Sequence, residues 1–420
     1  MNISLFHRAV LTLFLLSAQV AYSQSTAPVI LPGVIDAHEW PLSNSPLPLI
    51  GLSQFYEGQL LNPRESTLAE GEIVNFPEAW KTKPNNEGGL GFGTYSLLVV
   101  LPSPHEKELS LSLPQIYSSY RLWANGKLIA ENGTVGKSKE ECIPQWMPQT
   151  VAFEQPTDSL SLVLQIANFH HDKGGIKEPL YLGSSALMNF KRSIAKVSNL
   201  AESVVLFSVG LFFLFLSAGG NKKKATFYFA LLCLTWSVRS LFSNLYLFIT
   251  FFPDFDWNTM VRIEYIGLYL TMTWAILFLS QLFHNESNIF FKYGLVFCNI
   301  LFTAFTLFVS PLAFTHWLNL YLIVSAVLLL FSCFTVIRAW VNERVGSGLL
   351  TLSIVLGTLL FSYDIFVYEG FSTYDPFIFS VGYSTCFLLM AWALALHLGL
   401  IKSKPRPSTR LTYDDLYKNE

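Results

Sequence analysis

The 420-residue chain is 52% hydrophobic and 15% aromatic, with only 13% charged residues and a mean hydropathy of +0.41. This composition excludes an ordinary soluble protein and predicts that at least half of the chain is membrane protein. The formal net charge of −2 provides no basic excess that would attract nucleic acid, so no nucleic-acid partner is predicted.

The first 23 residues have the pattern of a secretory signal peptide. A short start ends at Arg8, an apolar run covers 9–16, and the small residues Ala21 and Ser23 precede the predicted cleavage point. An uncleaved anchor is the alternative, and it would leave the next domain on the same side of the membrane. No cysteine follows the predicted cut, which argues against a lipoprotein anchor.

The next segment, 24–187, consists of short β-prone runs separated by Gly, Pro and Asn. The runs GTYSLLVVLP and ELSLSLP are typical of half-buried antiparallel strands, and Asn125-Gly126 favours a tight hairpin turn. Strands at this spacing predict an antiparallel sandwich or jelly roll. Its single cysteine, Cys142, cannot form an intradomain disulfide, so the domain must be stabilised by its own core. The sequence has no zinc-ligand spacing, and neither a metal nor a cofactor is predicted.

Aromatic residues of this domain are candidates for ligand binding, because aromatic rings offer flat apolar surface to a sugar. The predicted ligand-binding residues are Tyr120, Trp123, Trp146, His170 and His171. Core packing is the alternative for the aromatic residues. For the histidines the alternatives are metal binding and a polar loop, and adjacent histidines on an extended segment point to opposite faces, which favours the loop.

Residues 188–198 contain good helix formers without Pro or Gly, and they predict a helix connecting the β domain to the membrane. Seven apolar stretches long enough to span a bilayer follow within 199–400. The predicted spans are 199–218, 226–248, 259–283, 290–310, 316–337, 347–368 and 376–400.

The charge pattern of the loops predicts the orientation. Lysines and arginines lie in the first and fifth loops and in the tail, whereas the second and sixth loops are acidic and aromatic. By the positive-inside rule, and because seven spans follow an exported domain, the C-terminal side is predicted to be cytoplasmic. This arrangement predicts a multi-pass membrane protein whose N-terminal domain lies on the exported side.

Four charged residues of the predicted spans form a candidate intramembrane polar cluster: Arg239, Arg262, Glu264 and Asp364. Arg239 and Glu264 are predicted at matching depths below the outer face, which favours an interhelical ion pair. A structural clamp between helices and a ligand site are the two interpretations, and the clamp is favoured.

The stretches YRLWANGKLIAENGTVGKS and ANFHHDKGG...LYLG occur in the order seen in periplasmic galactose-binding-like jelly rolls. Such domains also resemble the non-catalytic sugar-binding domain of some β-glycosidases. Followed by seven apolar helices, the chain resembles the bacterial seven-transmembrane receptors with diverse intracellular signalling modules. The resemblance spans roughly 49–402 and implies an all-β ectodomain followed by an all-α seven-helix bundle. It also implies a bacterial inner-membrane protein with the β domain in the periplasm.

The residues after the last span depart from this family. The family continues into a kinase, cyclase, phosphatase or nucleotide-cyclising module, whereas 401–420 is too short to bury a core. Pro405 and Pro407 also oppose a continuous signalling helix near the membrane. Residues 408–420 predict either a short helix or a disordered charged tail. An intracellular module is therefore expected to be a separate protein.

Several catalytic and transport functions are not supported by the spans. The last span has no lysine for a retinal Schiff base, and Ser384 and His397 lie too far apart on one helix to act together. The HExxH spacing of membrane metalloproteases is absent, and no internal repeat of the transporter kind is evident. The chain is therefore not predicted to be an enzyme.

The sequence predicts a receptor-like sensor. Its jelly roll would bind a small molecule, a carbohydrate or an envelope partner, and its seven helices would relay the signal to a separate cytoplasmic signalling protein. The alternatives are a non-signalling envelope glycan-binding or assembly protein and, less favoured, a transporter. Membrane lipid is an expected partner, and a homodimer is left open.

Overall fold

The computed structural model describes residues 29–80, 89–219 and 223–401. The predicted signal peptide 1–23 and nearly all of the predicted tail, 402–420, lie outside the described residues. Two compact units are present. The first runs through Phe169 and also contains Lys173–Arg192, and the second contains His170–Asp172 and continues from Ser193.

The described part of the first unit is a β-sandwich with one short helix, α1, at Pro63–Ser66. Its strands are β1 Val29–Leu31, β2 Val34–Asp36, β3 Leu47–Leu49, β4 Gly51–Glu57, β5 Glu72–Phe76, β6 Gly91–Val100, β7 Glu108–Leu113, β8 Ile116–Tyr117, β9 Ser119–Ala124, β10 Lys127–Asn132, β11 Gln149–Glu154, β12 Ser159–Asn168, β13 Gly175–Ile176 and β14 Leu180–Ser184.

The strands form one large sheet, one smaller sheet and a short pair. The large sheet has eight strands in the order β1-β2-β6-β12-β9-β10, with β4 also paired to β6 and β5 paired to β4. The smaller sheet has the order β11-β7-β14-β3, and β13 pairs with β8. All of these pairings are antiparallel except that of β2 with β6.

The core of the sandwich follows from alternation along the central strands. In β12, Leu160, Leu162 and Leu164 point into the same interior, because successive side chains of a strand face opposite sides. Leucines of β7 and β14 meet them from the smaller sheet. Between β9 and β10, Asn125 and Gly126 both have positive φ, 47° and 81°, which is the conformation of the predicted hairpin turn.

The second unit is helical. Its helices are α2 Ser185–Gly219, α3 Lys223–Leu241, α4 Leu247–Phe251, α5 Trp257–Leu282, α6 Ile289–Phe308, α7 Pro311–His316, α8 Leu318–Val341, α9 Ser347–Glu369 and α10 Pro376–Leu398. The 35-residue helix α2 begins in the first unit and includes both 188–198 and the first predicted span.

Six helices of the described chain, α2, α5, α6, α8, α9 and α10, are long and apolar enough to cross a membrane. Helix α3 coincides with the second predicted span, but its nineteen residues include Lys223, Lys224 and Arg239 and are less apolar. The predicted fold class, an all-β ectodomain followed by a helical membrane domain, is confirmed.

The second predicted span, 226–248, differs from the structure. Helix α3 ends at Leu241, because the following residues Asn244 and Tyr246 take positive φ, 58° and 46°, which cannot continue a right-handed helix. Arg239 therefore lies in the last turn of α3 rather than inside a longer helix.

Candidate functional site

A buried carboxylate lies in the helical unit, on α2. Glu202 is 5% exposed, and its Oε1 accepts a hydrogen bond of 2.8 Å from the indole Nε1 of Trp236 on α3. A buried carboxylate is energetically costly unless it is hydrogen-bonded. The hydrogen bond from Trp236 and the positive charge of Arg239 nearby stabilise Glu202 in this position. We name Glu202, Trp236, Arg239, Ser380 and Tyr383 the Glu202 cluster.

Small polar residues bring α2 and α3 close together around Glu202. The hydroxyls of Ser203 and Ser237 lie 3.0 Å apart, and each also donates to the other residue's backbone carbonyl. One turn away, the Asn199 side chain donates to the Ser240 carbonyl over 3.1 Å. Small side chains permit close approach of membrane helices, and their hydrogen bonds fix the register of the two helices.

Arg239 covers the same tryptophan from the end of α3. Its guanidinium carbon is 5.3 Å from the centre of the Trp236 ring, a cation–π arrangement, and a helix C-terminus also favours a cation. Gly267 of α5 leaves space for this side chain, since a Cβ built there would lie 3.1 Å from the Arg239 Cβ. The arginine is thus held between α3 and α5.

Helix α10 closes the cluster. The Tyr383 ring lies 4.4 Å from the Trp236 ring, and Ser380 lies one turn earlier on the same helix, with its hydroxyl buried and without a hydrogen-bond partner among the described residues. In the described protein, the Tyr383 hydroxyl, the Arg239 Nε and the Asn199 Oδ1 are buried without a hydrogen-bond partner. These atoms include donors and acceptors, so the cluster has the chemistry to hold a small polar ligand such as water between the helices.

Two of the predicted intramembrane residues belong to this region. Arg239 is a member of the cluster, and Asp364 of α9 acts electrostatically on Tyr383. Glu264 accepts a hydrogen bond of 3.1 Å from the Tyr246 hydroxyl, and the predicted ion pair between Arg239 and Glu264 stays a prediction.

Arg262 faces another direction. It donates to the Thr306 carbonyl of α6 and lies 5.6 Å from the Phe314 ring. The structure therefore attaches this member of the predicted set to α6 and α7.

Sequence reasoning missed Glu202, the residue at the centre of the site. The signal was available, since Glu202 is the one acidic residue of the first predicted span, and an ionisable residue inside a span is a functional candidate. Its partners Trp236 and Tyr383 lie 34 and 181 positions later, and no local pattern connects them.

The aromatic candidates of the β-sandwich differ in exposure. Tyr120 is 1% exposed, lies in the sandwich core and accepts a hydrogen bond from Gln149 over 2.7 Å, and its burial raises the pKa of its hydroxyl to about 12. Trp146 is also buried, with its ring 5.5 Å from Tyr117 in an edge-on arrangement. Only Trp123 of these three keeps partly accessible surface, and their roles in ligand binding stay predictions.

A cavity of about 220 Å³ lies elsewhere in the sandwich. Phe55, Glu57, Trp80 and Phe92 are among its lining residues, and Tyr120, Trp123 and Trp146 are not. Its described lining combines aromatic walls with the Glu57 carboxylate, a combination suited to a small polar ligand with an apolar face.

The predicted histidines group with the helical unit. His171 is 1% exposed, and the His170 ring lies 6.2 Å from the ring of Trp257. The neighbouring Asp172 carboxylate is hydrogen-bonded to His316 Nδ1 over 2.8 Å. Among the described residues, no group of three or more His, Cys, Asp or Glu side chains is arranged to hold a metal ion.

Comparison with protein families matches residues 203–399 to the family described as 7TM diverse intracellular signalling. This match covers almost the whole helical unit and connects the Glu202 cluster, whose other members all lie within it, to a receptor architecture. No curated protein matches the chain.

Solved structures similar to part of the chain are glycoside hydrolases. A β-galacturonidase from Eisenbergiella tayi matches with 13% identity and a TM-score of 0.25, over 33% of this chain and 24% of that one. A β-glucuronidase from Ruminococcus gnavus has 14% identity and a TM-score of 0.27, over 34% and 30%. One from Faecalibacterium prausnitzii has 13% identity and a TM-score of 0.26, over 38% and 32%. This chain thus spans a third or less of the length of these enzymes.

Proposed function

The helical domain of this chain belongs to the 7TM diverse intracellular signalling family, and we propose that the protein is a membrane sensor rather than an enzyme. The family match over 203–399 is the observation that carries the proposal. The protein is a multi-pass membrane protein.

The β-sandwich is proposed to bind the stimulus outside the inner membrane, in the periplasm. The aromatic cavity around Trp80 and Phe92 supports a small molecule or a carbohydrate as ligand, because aromatic walls stack on sugar rings. An envelope protein recognised through the surface of the sandwich is the other stimulus that this role allows.

The signal is proposed to pass along α2 into the Glu202 cluster. Helix α2 is continuous from Ser185 to Gly219, so a movement of its first turns is carried along a rigid element to Glu202. Glu202 joins α2 to α3 through its hydrogen bond from Trp236, and the Trp236 ring in turn packs against Tyr383 of α10. A cluster with several unsatisfied polar atoms can exchange hydrogen-bond partners, which gives these helices two arrangements that a ligand can bias.

The output is proposed to go to a cytoplasmic signalling protein that contacts the loop between α5 and α6. A photocrosslinking amino acid at His284, which is exposed in that loop, tests this in intact cells. The matched control is the same amino acid at Phe371, which is 79% exposed in the loop between α9 and α10. Capture of a kinase, cyclase or response regulator from position 284 alone supports the proposal, whereas capture of envelope proteins only, from both positions, contradicts it.

Cysteine labelling tests the proposed orientation of the helices across the inner membrane. In a cysteine-free background, a membrane-impermeant maleimide is expected to label Phe371→Cys when only the outer membrane is opened. Asn285→Cys is expected to need opening of the inner membrane as well. The reverse pattern would contradict the orientation without affecting the family assignment.

A further inference from the structure

A second site lies in the helical unit, far along the helices from the Glu202 cluster. It is a cavity of about 790 Å³ where α2, α5 and α10 end and α3 and α9 begin. Its apolar wall consists of Leu216, Leu282, Phe283, Leu396, Leu398 and Leu400. A cavity of this size is in the usual range for small-molecule sites.

The polar lining of this cavity includes an ion pair, and Thr226, His284, Asn285 and His397 also line it. The Glu286 side chain is 2% exposed, and its Oε1 accepts hydrogen bonds from Arg344 Nε over 2.6 Å and from Asn342 Nδ2 over 3.3 Å. Both Glu286 and Arg344 line the cavity, which we name the Glu286 cavity.

The ion pair leaves binding capacity on both partners. Arg344 uses only its Nε, its side chain is 44% exposed, and its two terminal nitrogens have no hydrogen-bond partner among the described residues. Two planar donors of this kind suit a phosphate. A carboxylate has about four acceptor positions, so Glu286 can accept further bonds from a donor that enters the cavity.

The opposite charges of Glu286 and Arg344 favour a zwitterionic amphiphile over an anionic one. Glu286 and Arg344 together have no net charge, so an anion bound at Arg344 would lie beside an uncompensated carboxylate. A ligand with a phosphate and an ammonium group side by side satisfies both residues. The leucine wall then favours a ligand that also carries an alkyl chain.

The location favours a membrane lipid over a soluble molecule. The ends of five long, largely apolar helices surround the cavity, and helix ends of a membrane domain lie at the level of the lipid headgroups. Lipids are therefore present at this level at high local concentration.

We propose that the Glu286 cavity binds the headgroup of a phospholipid with a primary amine, with the phosphate on Arg344 and the ammonium on Glu286. The first acyl carbons would lie along Leu396 and Leu398. The site is separate from the stimulus site and from the Glu202 cluster, and it does not depend on the proposed signalling role.

Native mass spectrometry of the full-length, delipidated protein in detergent tests the proposal. The protein is mixed with dioleoyl phosphatidylethanolamine, phosphatidylcholine or phosphatidylglycerol at equal mole fraction. Phosphatidylethanolamine is expected to be retained about tenfold more strongly than the others. Phosphatidylcholine lacks N–H donors for Glu286 and phosphatidylglycerol lacks the cation, so each loses a hydrogen bond to a charged group that phosphatidylethanolamine can make.

Variants identify the site. Glu286→Gln is expected to remove most of the preference for phosphatidylethanolamine over phosphatidylcholine, and Arg344→Gln to weaken binding of all three lipids. Lys292→Gln is the matched control, since Lys292 is a half-buried cation near the start of α6 and is not among the residues that line the cavity. Because a variant of the ion pair can destabilise the fold, Leu398→Asp provides a second test, and it is expected to weaken lipid retention with the ion pair intact.

Three results would overturn the inference. Equal retention of all three lipids would indicate ordinary boundary lipid. Equal retention by the wild-type protein and the Glu286, Arg344 and Leu398 variants would place the lipid elsewhere. Competition by free phosphoethanolamine at the same concentration as the lipid would identify a soluble ligand as the occupant.

Discussion

Glu202 and Glu286 are two buried carboxylates of the described helical unit, and the sites around them are built differently. Glu202 is enclosed by the rings of Trp236 and Tyr383, and its neighbours come from α3 and α10. Glu286 lies in the loop between α5 and α6, beside a cavity of about 790 Å³, with Arg344 as its direct partner.

The difference shows two ways in which a membrane protein keeps a buried charge. At the Glu202 cluster the charge is enclosed by aromatic packing, and the surrounding polar atoms are only partly satisfied, which suits a site that changes its arrangement. At the Glu286 cavity a short ion pair satisfies the charge, and the open side suits a ligand. Substitutions at the two sites should therefore destabilise the domain by different amounts, and the two losses of stability should depend differently on pH.

The largest effect is expected from Trp236→Ala in the Glu202 cluster. The change removes the packing against Tyr383 and Phe387 and the donor to Glu202, and it should destabilise the domain by about 3–5 kcal/mol. Thermal unfolding in detergent, followed by maleimide labelling of the buried thiol of Cys233, measures the loss.

Trp392→Ala is the control for this measurement. Trp392 lies on α10 and is half exposed, so its loss should shift the unfolding midpoint by much less. Equal shifts for the two tryptophans would show that the Glu202 cluster does not contribute to the packing of the domain.

The second effect is expected from Arg344→Ala at the Glu286 cavity. It leaves a buried carboxylate without its cation and should cost about 1–3 kcal/mol, less than a fully buried pair because Arg344 is partly exposed. In a double-mutant cycle, adding Glu286→Gln to the Arg344→Ala protein should restore most of the lost stability. Strictly additive losses would mean that the two residues do not interact.

The pH dependence should separate the two sites further. Burial by itself raises the pKa of the Glu286 carboxyl, but hydrogen bonds from Arg344 and Asn342 dominate and hold this pKa below the usual 4.5. The pair's contribution is therefore complete above about pH 4.5 and is lost as the pH falls through the lower pKa of the folded state.

Unfolding midpoints of the wild-type protein and of Glu286→Gln, measured from pH 7 down to pH 3, test this dependence. The difference between the two proteins should shrink as the solution becomes more acidic. A difference that grows in acid would contradict the predicted direction of the pKa shift.

The smallest effects are expected from two glycines. Gly267→Ala places a methyl group 3.1 Å from the Arg239 Cβ, so the arginine must move and the domain should lose up to about 1 kcal/mol. Gly294→Ala, near the start of α6, meets no atom within 4 Å and should stabilise the helix by about 0.5–1 kcal/mol. If the Gly267→Ala protein had a higher unfolding midpoint than the wild type, as is expected for Gly294→Ala, Arg239 would not be closely packed against α5.

Much of the fold could be predicted from the sequence. Period-two alternation in ELSLSLP corresponds to β7, and the Asn125-Gly126 pair forms the hairpin between β9 and β10. The resemblance to seven-transmembrane receptors is confirmed by the family match. These features were predictable because strand alternation, turn conformation and span length are local properties of the chain.

The sites were predicted less completely. Arg239 and Asp364 were found because charges are conspicuous in apolar spans, but the depth of Arg239 was derived from a second span that the structure ends at Leu241. The residues that surround Glu202 come from two other helices, α3 and α10, and nothing in their local sequence marks them as neighbours.

The sequence by itself therefore determined the class of the protein: a β domain, a set of apolar helices and the charged residues that the helices must accommodate. Only the tertiary structure decided which charges have partners. Glu286 and Arg344 are 58 residues apart, and Glu202 and Trp236 are 34 apart, and they meet because helix packing brings distant residues together. The physical reason is that hydropathy acts residue by residue, whereas satisfying a buried charge requires a specific three-dimensional contact.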